Sequence, residues 1–320
     1  MAKYRNALPQ LGGDFFITDG GIETTLIFHD KLELPDFAAF DLLKSAVGMA
    51  ALRKYFHAYA EIAQRFGAGL VLESPTWRAS ADWATRLGYS RDALDAANRK
   101  SIELLEEIRA EFETDRSRIV ISGCVGPRGD GYIPANMMSP EEAENYHREQ
   151  IETFAGSAAD LVTAITMNYS DEAVGITQAA RRAGMPVAIS FTVETDGALP
   201  TGQTLQAAIE QVDAATSAYP CYYMITCAHP THFEHALAEK ELWVKRIRGL
   251  RANASRRSHA ELNDSADLDV GDPVDLAARY AELKTNRLAH LNVMGGCCGT
   301  DDRHVEQIAK TCAPLFSLVK

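Results

Sequence analysis

Two adjacent cysteines near the carboxyl terminus are the residues of this chain best suited to chemistry. Cys297 and Cys298 lie between glycines, after an apolar run, and Cys227 closes another apolar run seventy residues earlier. Adjacent cysteines are poorly placed for a mutual disulfide, because their Cα atoms are only about 3.8 Å apart. The neighbouring glycines let the backbone turn so that both sulfurs point at one ion. Zn²⁺, which favours thiolate ligands, is therefore the predicted cofactor.

Three widely spaced thiols predict a reactive metal site. They leave the fourth position of a tetrahedral zinc open, as in catalytic zinc sites. Three thiolates make zinc a poor activator of water, whereas a thiol bound at the open position would lose its proton and become a nucleophile. The predicted reaction is attack of that thiolate on an electrophilic carbon, with no catalytic side chain beyond the zinc ligands. His229 is the alternative fourth ligand that would close the site. The remaining cysteines are expected to be buried and unligated: Cys124, Cys221 and Cys312.

The composition restricts the partners. Of the 320 residues, 46% are apolar and 24% are charged, and no apolar run approaches the 18 residues of a membrane span. A formal net charge of -12 argues against a nucleic-acid partner and mildly favours a cationic small molecule. The first residues lack the apolar core of a secretory signal, so we expect a cytoplasmic location with free thiols.

The arrangement of apolar runs predicts how these cysteines are positioned. Short apolar runs alternate with amphipathic stretches, which is typical of parallel βα units. The predicted strands cover residues 15–19, 69–73, 119–125, 161–166, 186–193, 222–227, 247–252 and 290–294. A helix is predicted to start at Ser139, followed by Pro140 and Glu142. Without a long linker, this α/β pattern predicts a single (β/α)8 TIM barrel domain over residues 1–320. Residues 253–273 are predicted to form a solvated excursion over the barrel.

A barrel places its active site at the carboxyl ends of its strands. Cys227 ends the sixth predicted strand and Cys297 follows the eighth, so the strand count and the cysteine positions support each other. Asp19 ends the first strand, where its carboxylate can pair with an ammonium group. Gly20 and Gly21, which follow it, expose backbone amides suited to a carboxylate.

Five segments resemble the homocysteine S-methyltransferase family of zinc-dependent barrel enzymes. They are residues 19–24, 75–80, 122–127, 226–227 and 295–300, and the last is the most specific. The resemblance implies that Cys227, Cys297 and Cys298 bind zinc and that the sulfur of homocysteine takes the open position. It also implies that a sulfonium or quaternary ammonium donor, with S-methylmethionine as the leading candidate, gives up a methyl group to yield methionine.

The substrate site is expected at the first, second and fourth strand ends. Trp77 offers an aromatic face to the cationic methyl donor. The chain departs from the family at Thr226, where asparagine is usual, and at Ile165, where relatives have a glutamate that helps hold the substrate's amino group. Glu73 or Glu194 is expected to compensate. The expected substrate-binding residues are Asp19, Gly20, Gly21, Glu73, Ser74, Trp77 and Thr166.

Two other functions fit the same residues. The chain could be the thiol-activating partner of a corrinoid methyl-transfer system, in which a separate protein brings the methyl group. It could also be a non-catalytic zinc-binding or thiol-sensing barrel, in which Ile165 and Thr226 reflect a degenerated pocket. The sequence leaves the oligomeric state open.

Overall fold

Eight parallel strands form a closed barrel in chain order, as the sequence predicts. The computed structural model describes residues 1–237, 241–263, 265 and 267–317. The strands are β1 (Phe16–Ile17), β2 (Gly69–Glu73), β3 (Ile119–Val125), β4 (Leu161–Met167), β5 (Val187–Thr192), β6 (Tyr222–Thr226), β7 (Ile247–Ala252) and β8 (Val293–Gly296). The described residues therefore adopt the predicted TIM-barrel architecture.

The eighth strand differs from its predicted position. It begins at Val293 and includes both glycines that precede the cysteines, with Gly295 paired to Arg251 of β7. A Cβ atom on Gly295 would lie 1.9 Å from Thr18 Oγ1. Gly295 is therefore too close to Thr18 to carry a side chain, and Gly296, which pairs with Ala252 of β7, is too close to Thr300. The prediction of a strand over residues 290–294 was wrong at both ends.

Helices cover the outside of the barrel. The α-helices of the described residues are α1 (Ala46–Phe66), α2 (Ala81–Arg86), α3 (Arg91–Phe112), α4 (Pro140–Ala155), α5 (Ser170–Arg182), α6 (Leu205–Thr216), α7 (Pro230–Phe233), α8 (His259–Asn263), α9 (Pro273–Asn286), α10 (Asp302–Cys312) and α11 (Pro314–Ser317). Single π or 3-10 turns occupy Pro9–Gly12, Thr24–His29, Pro35–Phe37, Ala39–Lys44, Glu234–Ala236 and Trp243–Arg246. Among the described residues, none of these helices has the length and apolarity needed to cross a bilayer.

Two local predictions can be checked against the helices. Ser139 caps α4 as predicted, because its hydroxyl accepts from the amide of Glu142 while the Glu142 carboxylate accepts from the amide of Ser139. The stretch 253–273 was predicted to be irregular, but it contains α8. Residues 264 and 266 of this stretch lie outside the described residues.

Apolar side chains fill the amino-terminal half of the barrel interior. Along each strand, side chains that point into the barrel alternate with side chains that pack against the helices. The cluster consists of Leu8, Phe16, Val71, Val120, Leu161, Ala188, Tyr222, Met224 and Val293. Because Leu8 precedes β1, the first residues of the chain help to close this end of the barrel.

Arg5 attaches these first residues to the barrel. Its guanidinium donates hydrogen bonds to the carbonyl oxygens of Phe154, Ala155, Ser157 and Ala159, at 2.7 to 3.4 Å. Next to it, the amide of Tyr4 donates to Asp160 Oδ1 at 2.7 Å. Asp160 also pairs with Arg109, whose Nη1 lies 2.8 Å from Asp160 Oδ2, and both side chains are buried.

Replacing Arg5 should destabilise the closed end. Hydrogen bonds from a charged group contribute about 1.5–3 kcal/mol, so Arg5→Ala should lower the free energy of unfolding by about 1–3 kcal/mol. Urea unfolding followed by circular dichroism measures this change. Arg118→Ala removes an exposed guanidinium and is the control, with an expected effect within about 0.5 kcal/mol. Equal stabilities of the two variants would contradict the assigned role of Arg5.

Candidate metal centre

Three cysteines meet at the carboxyl end of the barrel. Cys227 directly follows β6, and Cys297 directly follows β8, with Cys298 next in the chain. The Sγ atoms of Cys227 and Cys297 are 2.7 Å apart, and those of Cys297 and Cys298 are 3.9 Å apart. All three sulfurs lie within 4.8 Å of one another. We call these three residues the thiol cluster.

The thiol cluster fits a tetrahedral metal ion. Zinc–sulfur bonds are about 2.3 Å long, so the sulfurs of a tetrahedral site lie about 3.8 Å apart. The 3.9 Å between the sulfurs of Cys297 and Cys298 is close to that value, whereas the 2.7 Å between those of Cys227 and Cys297 is shorter, so binding of the ion requires these two sulfurs to move apart. His229, the alternative fourth ligand, instead caps α7 by accepting a hydrogen bond from the amide of Thr231. The cluster thus supplies three ligands, one fewer than a tetrahedral ion accepts.

Cys227 has an unusual backbone conformation. Its φ of 56° lies in the left-handed region, which costs a non-glycine residue about 1–2 kcal/mol. Two side chains bond its carbonyl oxygen: Asn253 Nδ2 donates at 2.9 Å, and His259 Nε2 lies within hydrogen-bond distance. These bonds stabilise a turn that directs the Cys227 sulfur toward Cys297.

The loop that carries Cys297 and Cys298 is bonded to the turn after β1. The amide of Gly21 donates to the Thr300 carbonyl oxygen at 3.1 Å, and the amide of Gly299 donates to Thr24 Oγ1 at 3.0 Å. A Cβ on Gly21 would lie 2.6 Å from the Cys297 carbonyl oxygen. The two segments therefore pack backbone against backbone, which requires glycine at position 21.

A helix begins directly after this loop. Asp301 caps α10, with its carboxylate accepting from the amide of Arg303 at 3.1 Å. The amino-terminal end of a helix carries a partial positive charge. This charge lies on the side of the thiol cluster and offsets part of its negative charge.

The three thiols share their protons. Burial raises the pKa of Cys227, but hydrogen bonds from Cys297 and Cys298 outweigh burial and hold that pKa well below its usual value. The bond with Cys227 raises the pKa of Cys297 above its usual value and that of Cys298 to about 12, although the bond with Cys297 acts in the opposite direction on Cys298. The hydroxyls of Thr166 and Thr226 each lie 3.5 Å from Cys227 Sγ. Cys227 is therefore the first of the three to carry a negative charge.

A buried arginine lies inside the barrel, on the amino-terminal side of the thiol cluster. Arg251 of β7 places Nη1 2.6 Å from Asp19 Oδ1, and it donates to the carbonyl oxygens of Gly296 and Gly20, each at 3.2 Å. The second oxygen of Asp19 accepts from the hydroxyl of Tyr55 at 2.8 Å. Burial lowers the pKa of Arg251, but Asp19 and other carboxylates outweigh burial and raise it well above its usual value. Arg251 is thus a fixed cation at this level of the barrel.

Glu73 ends β2 inside the same polar layer. Its side chain is only 4% exposed, and burial raises its pKa to about 7, although Arg251 acts in the opposite direction. The upper half of the barrel interior is otherwise lined by buried hydroxyls. They belong to Ser122, Thr163, Ser190, Thr192 and Thr226.

All seven expected substrate-binding residues lie toward the carboxyl end of the barrel: Asp19, Gly20, Gly21, Glu73, Ser74, Trp77 and Thr166. Their polar groups have different partners. Asp19 is paired with Arg251, and Gly21 with Thr300. Ser74 Oγ accepts from the amide of Cys124 at 2.9 Å, so it links two strand ends. The side chain of Thr166 reaches the thiol cluster directly.

The indole of Trp77 already contacts a cation of the chain. The guanidinium of Arg78 lies 4.0 Å from the centre of the Trp77 ring and 3.7 Å from that of Trp83. Arg78 is 6% exposed, and burial lowers its pKa to about 10. Another side of Trp77 approaches Gly131, where an added Cβ would lie 3.3 Å from the indole and 2.9 Å from Thr166. Trp77 therefore lies between Arg78 and the approach to the thiol cluster.

Two aromatic residues that the sequence analysis did not single out lie beside the thiol cluster. The hydroxyl of Tyr132 is 3.4 Å from Cys298 Sγ, and its ring centre lies 4.2 Å from that of His259. His259 Nδ1 in turn lies 3.1 Å from Glu194 Oε1. The glycines around Tyr132 indicate a loop, and His259 begins α8, but neither residue has a sequence pattern that marks its position in the site. The stretch 253–273 is therefore in part a wall of the site.

Comparison with known proteins agrees with this geometry. The model of the family described as homocysteine S-methyltransferase matches residues 16–312. The chain belongs to the homocysteine S-methyltransferase family. It is a methyltransferase, with the three cysteines of its thiol cluster inside the matched region.

Similar proteins cover nearly the whole of this methyltransferase. Homocysteine S-methyltransferase 4 of Zea mays is 26% identical over 93% of the chain and 89% of its own length. Selenocysteine Se-methyltransferase of Brassica oleracea var. italica is 23% identical over 98% of the chain and 93% of its own length. The metallated form of the homocysteine methyltransferase MmuM from Escherichia coli shares the fold, with a TM-score of 0.72 and 19% identity over 93% of the chain and 96% of its own.

The buried carboxyl of Glu73 should make stability depend on pH. Its pKa rises from about 4.5 in the unfolded chain to about 7 in the fold, so the folded state retains a proton that the unfolded state releases between these values. The wild type should therefore lose on the order of 3 kcal/mol of unfolding free energy between pH 4.5 and 7 through this group.

Glu73→Gln should abolish that loss, because the amide does not ionise. Urea unfolding at pH 5 and pH 8 measures the difference, with the variant similar to the wild type at pH 5 and more stable at pH 8. Glu282→Gln, on the exposed side of α9, is the control. The assignment fails if Glu73→Gln and Glu282→Gln follow the same pH dependence.

Proposed function

We propose that this methyltransferase binds zinc through Cys227, Cys297 and Cys298 and transfers a methyl group from a sulfonium or quaternary ammonium donor to homocysteine, giving methionine. The observation that carries the proposal is the convergence of three thiols within 4.8 Å at the active-site end of a TIM barrel. The name of the maize relative, which specifies homocysteine, supports the same acceptor.

Zinc held by three thiolates would accept the substrate sulfur as its fourth ligand and keep that sulfur deprotonated and nucleophilic. The chain's own part is to fix the three sulfurs. Cys227 is held by Asn253 and His259 through its carbonyl oxygen, and Cys297 by the backbone contact with Gly21. The hydroxyl of Thr166 lies beside the Cys227 sulfur. The proposal assigns no side chain as a general base.

The cationic donor is proposed to approach from the side of Tyr132 and His259. Aromatic faces attract cations within about 6 Å of the ring, and the carboxylate of Glu194 lies next to His259. Trp77 contributes the wall opposite Arg78. In the transfer, the acceptor sulfur forms a bond to the methyl carbon while the donor sulfur or nitrogen takes the electron pair of the broken bond and leaves as a neutral group.

The expected substrate-binding residues then fall into two groups. Thr166 and Trp77 line the approach to the thiol cluster. The other five lie below or beside the thiol cluster, and all of them except Glu73 are held by the bonds already described. They are Asp19, Gly20, Gly21, Glu73 and Ser74.

We expect about one zinc ion per chain, held by the thiol cluster. Cys297→Ala should lose the zinc while the fold persists, because the barrel is closed by backbone bonds that do not involve this sulfur. Elemental analysis and circular dichroism measure the two effects. Cys221→Ala, which removes a half-buried thiol outside the cluster, is the control and should keep the zinc. Unchanged zinc in Cys297→Ala would contradict the ligand assignment.

The methyl donor can be identified by assaying methionine formation from homocysteine. S-methylmethionine is expected to support turnover, with betaine and methylcobalamin tested separately. Turnover with methylcobalamin alone would favour a corrinoid partner. No turnover with any donor, from protein that contains zinc, would favour the non-catalytic sensor and contradict the proposal.

A further inference from the structure

Glu23 places a free carboxylate next to the metal centre. It follows Gly21 by two residues, and a Cβ on that glycine would lie 2.6 Å from the Cys297 carbonyl oxygen. It precedes Thr24, whose hydroxyl accepts from the amide of Gly299 at 3.0 Å. The segment that carries Glu23 is therefore packed directly against the loop that carries two of the three sulfurs.

The carboxylate of Glu23 lacks a cationic partner. In the described part of the chain, no group other than its own backbone amide donates to it, and no arginine, lysine or histidine forms an ion pair with it. The residue is half-buried. Burial raises its pKa to about 7, the negative charges of Asp19 and Cys227 add to this effect, and the charge of Arg78 opposes it. A ligand cation would supply the missing compensation.

Asp19 adds a second negative charge on the same side. It is 3% exposed, and one of its oxygens accepts from the Tyr55 hydroxyl at 2.8 Å. The other faces Arg251 Nη1 at 2.6 Å, but the two atoms form no hydrogen bond. Arg251 also interacts with the carboxylate of Glu73. This one guanidinium therefore leaves Glu23 uncompensated, and the turn after β1 attracts a cation.

The position of Glu23 suits the acceptor thiol. Cys227, whose charge acts on Glu23, is one of the sulfurs that would surround the acceptor sulfur on zinc. Three carbon atoms separate the sulfur of homocysteine from its ammonium nitrogen, so the ammonium remains near the thiol cluster. The donor is proposed to approach along Tyr132 and His259, where Glu194 lies 3.1 Å from His259 Nδ1. Separate carboxylates are thus available to the two cations.

We propose that Glu23 is a specificity-determining residue that binds the α-ammonium group of the acceptor thiol, with Asp19 as a second negative charge behind it. The inference rests on the proposed function, since it concerns the thiol that enters the same site. It gives Glu23 the part that the sequence analysis expected of Glu73 or Glu194. The preferred acceptor is a short thiol that carries an ammonium group three carbon atoms from its sulfur.

Three thiols isolate the contribution of the ammonium group. They are homocysteine, 4-mercaptobutanoate, which lacks the amino group, and 3-mercaptopropylamine, which lacks the carboxylate. Calorimetry with the zinc-loaded protein gives a Kd for each without a methyl donor. The wild type should bind homocysteine about tenfold or more tightly than 4-mercaptobutanoate, because a bond between ammonium and carboxylate is charge-assisted. Equal affinity for these two thiols would overturn the proposal.

Glu23→Gln removes the charge and keeps the shape of the side chain. It should weaken binding of homocysteine and of 3-mercaptopropylamine by about tenfold or more, and change binding of 4-mercaptobutanoate by less than about threefold. An equal change for all three thiols would indicate a general effect on the site and would overturn the proposal. Zinc content is measured in each variant, so that the comparison is made at equal metal loading.

Two further variants serve as controls. Glu282→Gln, on the exposed side of α9, should leave all three Kd values unchanged. Glu194→Gln should leave the ratio between homocysteine and 4-mercaptobutanoate unchanged, and a loss of the homocysteine preference in this variant but not in Glu23→Gln would overturn the assignment.

Kinetics distinguish the acceptor from the donor. At saturating homocysteine, the KM for S-methylmethionine should stay within about twofold of the wild type in Glu23→Gln. A raised KM for the donor with unchanged thiol binding would show that Glu23 binds the donor, against the proposal. Thiol binding as expected without methyl transfer would contradict the proposed function alone. Transfer that is indifferent to Glu23→Gln, with unchanged thiol binding, would contradict this inference alone.

Discussion

Closure of the barrel is the constraint on which the active-site end depends. Neighbouring strands lie about 4.8 Å apart, so the ends of β6 and β8 are separated by roughly 10 Å with β7 between them. Cys227 and Cys297 approach to 2.7 Å because both side chains lean over the end of β7. On the β6 side, the left-handed turn at Cys227 directs its sulfur over β7. On the β8 side, Gly295 lets the strand pass close to Thr18, where a side chain would clash.

The polar half of the barrel interior is organised around Arg251. A buried cation is unfavourable unless it is paired and fully hydrogen-bonded. Here the guanidinium pairs with Asp19, which follows β1, and donates to the carbonyl oxygens of Gly20 and Gly296. The same side chain therefore links the turn after β1 to the strand that leads to Cys297. Arg251 therefore both compensates the charge of Asp19 and helps to position the segments that border the thiol cluster.

Sequence patterns predicted the features that depend on local chemistry. The alternation of apolar runs predicted the eight strands, and the glycine-flanked cysteines predicted which thiols converge. The position of β8 was missed because glycines were interpreted as turn residues, whereas the close approach of Thr18 requires them inside the strand. Arg251 is a charged residue in an apolar run, which is a detectable signal, but its pairing with Asp19 depends on contacts across the barrel. His259 begins the short helix α8, and its contacts with Cys227 and Glu194 join distant parts of the chain, so no local pattern identifies it.

The apolar cluster around Leu8 and Phe16 determines from which side molecules can reach the barrel interior. Because this cluster fills the amino-terminal half of the interior, the barrel is open only at the carboxyl ends of its strands. The thiol cluster lies inside that opening, with Tyr132 and His259 beside it. Both reactants must arrive, and both products must depart, through the same side.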